Sequence, residues 1–143
     1  MQDILMYISD QHAWLQQGYA GDPIVKTPNL DRIAAQGTVM QNCCTSYPLC
    51  VPARMSMMSG QTASHCRVMS NMTALDSNKA TFAHCLDAGG YETVLCGRMH
   101  FVGPDQRHGF EKRIAGEQTP IFHNRPNEAF KKERGVHDHT PQG

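Results

Sequence analysis

The stretch Cys50-Val51-Pro52-Ala53-Arg54-Met55-Ser56-Met57-Met58-Ser59-Gly60 decides how this chain is read. Pro52 belongs in the first turn of a helix, where its missing N–H is not needed, and Gly60 belongs just past the helix end. The spacing therefore predicts a helix from Val51 to Ser59 with Cys50 at its N-terminus. Unsatisfied N–H groups and the positive end of the helix dipole gather there, so a tetrahedral oxyanion held beside Cys50 would be stabilised. Arg54 lies one turn on and can aim a planar guanidinium at the same spot, holding a nucleophile or an anion through two N–H groups. A buried structural cysteine beside a solvated arginine is the plainer reading of those two residues taken alone. Met55, Met57 and Met58 read as core filling.

Upstream, Thr38 to Asn42 reads as a strand leading into the loop that delivers Cys50. Before it, Thr27-Pro28-Asn29-Leu30-Asp31-Arg32-Ile33-Ala34-Ala35-Gln36-Gly37 has a cap, an early proline, an acidic first turn and a terminal glycine, which predicts a short helix. Ile4 to Ser9 is a continuous apolar run suited to a strand buried on both faces. It ends at Ser9-Asp10-Gln11-His12, and polar residues at the C-terminal end of such a strand are where open α/β folds place ligands.

Downstream, Thr81 to Ala88 places Phe82, Cys85 and Leu86 on one helical face and stops at Gly89-Gly90. Glu92 to Cys96 returns as a second buried strand, followed by Gly97-Arg98-Met99-His100. The order strand, helix, strand, helix, helix, strand predicts an α/β domain with a largely parallel sheet. After about Gly103 the pattern fades, so residues 1–110 read as domain and residues 111–143 as a polar loop or disordered tail. His137-Asp138-His139 in that tail lacks further ligands for a transition metal, and His12 is given no role.

The 143 residues are the length of one ordinary domain, and 13 basic side chains balance 13 acidic ones, so no charge excess draws nucleic acid or an anionic membrane. Ile4-Leu5-Met6-Tyr7-Ile8 is too short and lacks the basic flank of a signal peptide, and no run is long enough to cross a bilayer. The expectation is a cytoplasmic chain, or a periplasmic or secreted one if a leader was removed. The six cysteines contain no Cys-x-x-Cys pair and read as reduced core thiols.

Read together, Cys50-x-Pro52-Ala53-Arg54-x-x-x-Met58-Ser59-Gly60 closely resembles the signature of the sulfatase family, and the resemblance extends from Asp3 to about Phe110. It implies an alkaline-phosphatase-like α/β sandwich, of which this chain looks like the N-terminal portion. It also implies that Cys50 is converted by a maturation enzyme to formylglycine, whose hydrated aldehyde attacks sulfur with one hydroxyl and expels sulfate with the other. Asp10 and Gln11 match the paired ligands that end the first strand in relatives, where they and the modified Cys50 bind Ca²⁺ or Mg²⁺; a second aspartate is commoner at position 11. Thr27 to Ala34 looks like the family's structural helix. Asn71 falls in a segment similar to one whose asparagine lines the anion pocket, although an asparagine in a loop also serves as a turn residue.

Arg98 and His100 match the family's Lys-x-His pair, in which the lysine contacts sulfate and the histidine orients the nucleophile or leaving group. Alternation along a strand would point both to one side. Arginine in place of lysine keeps the charge and changes its shape.

The resemblance implies a small-molecule or sugar sulfate ester as substrate. A phosphonate or phosphate ester hydrolase of the same superfamily is a second reading, and a catalytically silent interaction domain a third. The remaining metal ligands and substrate contacts of the family have no counterpart after His100, and an open sheet edge would favour an oligomer.

Overall fold

Backbone N–H and C=O groups of a strand need a neighbouring strand to take them. In the computed structural model, which describes residues 2–115, one such pairing forms. Strand β1 (Val94–Cys96) runs parallel to β2 (Lys112–Ala115), with Val94 opposite Lys112 and Leu95 opposite Arg113. The register slips by one residue before Cys96 meets Ala115. Parallel strands require a long crossover, and here residues 97–111 supply it without a helix. That crossover carries Arg98 and His100.

The described residues divide into two compact units, 2–43 and 44–115. In the first, helix α1 (Pro28–Gln36) matches the expected segment. Thr27, expected as its side-chain cap, makes no cap hydrogen bond to the helix and ties a loop instead. Its hydroxyl donates to Asp31 Oδ1 at 2.8 Å and accepts from the Gly18 N–H at 2.8 Å, while the Tyr19 N–H donates to the same carboxylate oxygen. Gly18 sits so close that a Cβ there would lie 2.5 Å from Asp31 Oδ2.

The first unit overturns two strand expectations. Ile4 to Ser9 and Thr38 to Asn42 are not strands, and Leu5 is 91% exposed. The apolar pattern is present, but among the described residues no strand pairs with either segment. Composition supplies apolar side chains and cannot supply the partner strand.

The second unit holds the core. Helix α2 (Cys50–Ser59) buries Val51, Met55 and Met58 against Val68, Leu75, Ala83, Leu95, Met99 and Phe101. Met55 and Met58 fill that core as expected, and Met57 packs on its edge. Removing one such side chain from water contributes about 1.5–3 kcal/mol. Gly60 ends the helix at φ 66°, a conformation glycine adopts without steric cost. Helices α3 (Ala63–Cys66) and α4 (Phe82–Ala88) follow, and α4 is capped reciprocally by Thr81 and His84.

On α4 the buried residue is Ala83, with Phe82 and Leu86 half-buried, while Cys85 is exposed and does not share their face. The cysteines correct the sequence reading further. Cys66 is buried and Cys50 half-buried, but Cys43, Cys44, Cys85 and Cys96 are exposed, so most are not core thiols. Strand β2 also falls inside the stretch expected as loop from residue 111, because ladder pairing with β1, not an apolar pattern, makes it a strand. His137 and His139 lie outside the described residues. Among the described residues no helix is long and apolar enough to cross a membrane.

Candidate active site

Cys50 is the first residue of α2, and the residue before it, Leu49, is extended and has no side chain able to cap the helix. The orphaned N–H groups of this turn are handled in three other ways. Pro52 has none, Ala53 donates to the Leu49 carbonyl at 2.9 Å, and Val51 donates to Asn71 Oδ1 at 3.0 Å. Asn71 therefore caps from twenty residues away, which holds the Ser70–Met72 loop against the turn that carries Cys50. Its oxygen is committed to the helix, so its amide nitrogen is the atom it can offer an anion.

Arg54 is buried, and its guanidinium lies against the crossover. Nη1 donates to the Arg98 carbonyl at 3.0 Å and lies 3.9 Å from Met99 Sδ. Helix α2 and the Arg98–His100 segment are thus fixed to each other through a charged, bifunctional side chain. The expectation that residues 98 and 100 alternate on a strand is wrong in its reason, because β1 ends at Cys96. They nevertheless meet: Arg98 Nη2 is 3.1 Å from His100 Nδ1. A left-handed His100 backbone, φ 56°, turns the buried ring back toward Arg98. Non-glycine residues hold that conformation only where surroundings enforce it.

Within the second unit, then, Cys50, Arg54, Asn71, Arg98 and His100 are joined by α2 and two loops. Asp10 and Gln11 belong to the first unit. Both are exposed in a turn, Gln11 with φ 55°. A carboxylate and an amide oxygen are donors of the right hardness for Ca²⁺ or Mg²⁺, but such a cation takes about six to eight oxygens. Among the described residues no group of three or more His, Cys, Asp or Glu side chains is placed to hold a metal ion. These residues do not complete a cation site by themselves.

Pattern reading missed what supports the crossover. His108 is 1% exposed, its Nδ1 lies 3.2 Å from Asp105 Oδ2, and its ring meets Phe101 edge-on at 4.7 Å, next in sequence to His100. Its carbonyl accepts the Thr81 hydroxyl at 2.6 Å, which fastens the crossover to the head of α4. Burial pushes the His108 imidazole below its ordinary value, against the pull of Asp105. Burial also opposes the charge on Asp105, but the N–H groups of His108 and Arg107 outweigh it and hold that carboxyl below the usual range. The signal available was Asp105-Gln106-Arg107-His108, an aspartate poised to accept from the two following N–H groups of a turn.

Known proteins resemble this chain in sequence and in fold. The chain is 48% identical over 93 residues to a choline-sulfatase of Rhizobium meliloti, covering 65% of this chain and 18% of that protein. To an ulvan-active sulfatase of Formosa agariphila it is 32% identical over 132 residues, 87% of this chain and 26% of that one. It therefore spans about a fifth to a quarter of the curated relatives it matches. Among solved structures, that of BT4656 in complex with its substrate D-glucosamine-2-N,6-O-disulfate superposes with a TM-score of 0.62 at 28% identity, over 67% of this chain and 19% of that one. The structure of Ps i-CgsB superposes with a TM-score of 0.67 over 90% of this chain and 32% of that one; at 22% identity it supports the α/β fold alone. The family model described as sulfatase matches from residue 2 to residue 140, nearly end to end, and the chain belongs to the sulfatase family.

Proposed function

We propose that this chain carries the nucleophile-bearing part of a sulfuric ester hydrolase acting on a small-molecule or sugar sulfate monoester. The observation that carries the proposal is the placement of Cys50 at the head of α2, where Asn71 secures the turn and Arg54 ties it to the Arg98–His100 segment. Converted to formylglycine, Cys50 would supply a hydrated aldehyde as nucleophile. The other residues bind and orient. The start of α2 and the Arg98 guanidinium favour an anion, and the Asn71 amide nitrogen can donate to a sulfate oxygen. His100, held in place by Arg98, presents its ring to the same segment.

A divalent cation would draw on Asp10 and Gln11, two hard oxygen donors, and would need more than the described residues offer. For that reason the 143-residue chain alone should turn over an aryl sulfate poorly, with or without Ca²⁺. Groups that act as a unit lose far more than their separate shares when some are missing.

The test is peptide mass spectrometry of protein produced with a formylglycine-generating enzyme, together with aryl sulfate hydrolysis by a longer version of the chain. Conversion at Cys50, none at the other five cysteines, and turnover reduced by at least about three orders of magnitude in Cys50→Ala are expected. An unmodified Cys50 under those conditions sinks the assignment.

A further inference from the structure

We propose that Arg98 is a positioning residue that fixes His100 in one tautomer, with the ring proton on Nε2. The argument begins with what each group can do. Guanidinium is a donor at every nitrogen, stays charged at all accessible pH, and has no lone pair to offer. A neutral imidazole has one N–H and one acceptor nitrogen, and the hydrogen bond at one nitrogen decides which is which. Arg98 Nη2 lies 3.1 Å from His100 Nδ1, within hydrogen-bonding distance. Only one assignment makes that contact attractive: Arg98 donates, Nδ1 accepts, and the proton resides on Nε2.

The geometry around the pair supports a fixed and not a passing contact. The His100 ring is buried, so it cannot exchange a lost acceptor for water cheaply. Its left-handed backbone limits how the ring can be presented. The Arg98 backbone is held independently, because its carbonyl accepts from buried Arg54. Both partners are therefore placed before they meet.

The consequence rests on the sulfatase reading. A His100 of this tautomer carries its donor on Nε2, the kind of group that the acceptor-only oxygens of a sulfate ester take. It offers no lone pair at Nδ1 while Arg98 donates there, so the ring binds and orients oxygen instead of drawing a proton from a nucleophile. Arginine, whose fork carries several N–H groups, can place one of them on a ring nitrogen two residues along.

The tautomer can be read without any activity. The chain, labelled with ¹⁵N at histidine, is examined by two-bond nitrogen–proton correlation at a pH where the rings are neutral, and His100 is assigned by its loss in His100→Asn. The Nε2–H pattern is expected in the unaltered chain. In Arg98→Ala the ratio of Nε2–H to Nδ1–H should fall about fivefold, the equivalent of a hydrogen bond worth about 1 kcal/mol. Arg98→Lys, which restores a cationic donor, should recover part of that loss. The buried His108 ring serves as the internal check that the crossover keeps its fold. An Nδ1–H ring in the unaltered chain, or a ratio unmoved by Arg98→Ala while His108 is unchanged, would overturn the proposal. Neither result depends on Cys50 being modified, so a failure here is separate from a failure of the sulfatase reading.

Discussion

Two apolar stretches of this chain look alike in sequence and fare oppositely in the structure. Val51 to Met58 disappears into a core, with Met58 fully buried, whereas Ile4 to Ile8 stays exposed throughout. The difference lies in what each element needs. A helix satisfies its own backbone and asks its surroundings only for apolar contact, which Val68, Leu75, Leu95, Met99 and Phe101 provide within the same unit. A strand asks for hydrogen-bonding neighbours as well, and none of the described residues pairs with Ile4 to Ile8. Burial in the first case is a property of the segment and its unit; in the second, apolar composition alone does not produce it.

The sharpest way to break that comparison is to hollow the buried side. Met55→Ala should destabilise the chain by about 2–5 kcal/mol in denaturant unfolding, because a core helix side chain leaves a cavity behind. A loss under about 0.5 kcal/mol would mean that the α2 core is not the packed region described here. Next in size is the cap. Asn71→Ala should cost about 1 kcal/mol by removing the acceptor for Val51 N–H, while Asn71→Asp keeps an acceptor and should lose less. Equal losses in the two variants would show that Asn71 does not act through that bond.

Acidification perturbs the second unit through His108 and Asp105. The imidazole has a folded-state pKa below its unfolded value of 6.5, so the unfolded chain binds more protons once pH drops below that point. Stability is then lost as pH falls from about 6.5 toward the folded-state pKa. Asp105, also depressed, adds a second loss below 3.8. His108→Phe should flatten the upper part of a stability-versus-pH curve; an unchanged slope below 6.5 would contradict it.

The smallest effect belongs to the exposed stretch. Leu5→Ser should change stability by no more than about 0.5 kcal/mol, since the side chain already faces solvent. A loss comparable to that of Met55→Ala would show that Ile4 to Ile8 is covered after all, and the contrast between the two stretches would collapse.

What could be read from the sequence follows the same division. Local rules placed α1, α2 and α4, because Pro28, Pro52, Gly37, Gly60 and the Gly89-Gly90 stop act over a few residues. The parallel pair was half legible: β1 has an apolar core position in Leu95, but β2 is Lys-Arg-Ile-Ala, which becomes a strand through its partner. Among site residues, Cys50 and Arg54 follow from helix geometry. Arg98 and His100 were paired on their match to the family's Lys-x-His, with strand alternation expected to align them, and they meet instead through a left-handed turn. The capping role of Asn71 depends on a contact twenty residues away, which no spacing rule reaches.

That contact also makes the turn observable. The second amide of a helix is ordinarily an orphan, open to solvent and quick to trade its hydrogen for deuterium. At Val51 it is held by a side chain from another loop and sits in a fully buried residue. Its exchange therefore proceeds only when the Asn71 loop lifts, a local opening that need not unfold the core. One backbone hydrogen thus keeps time for the opening and closing of the loop that borders Cys50.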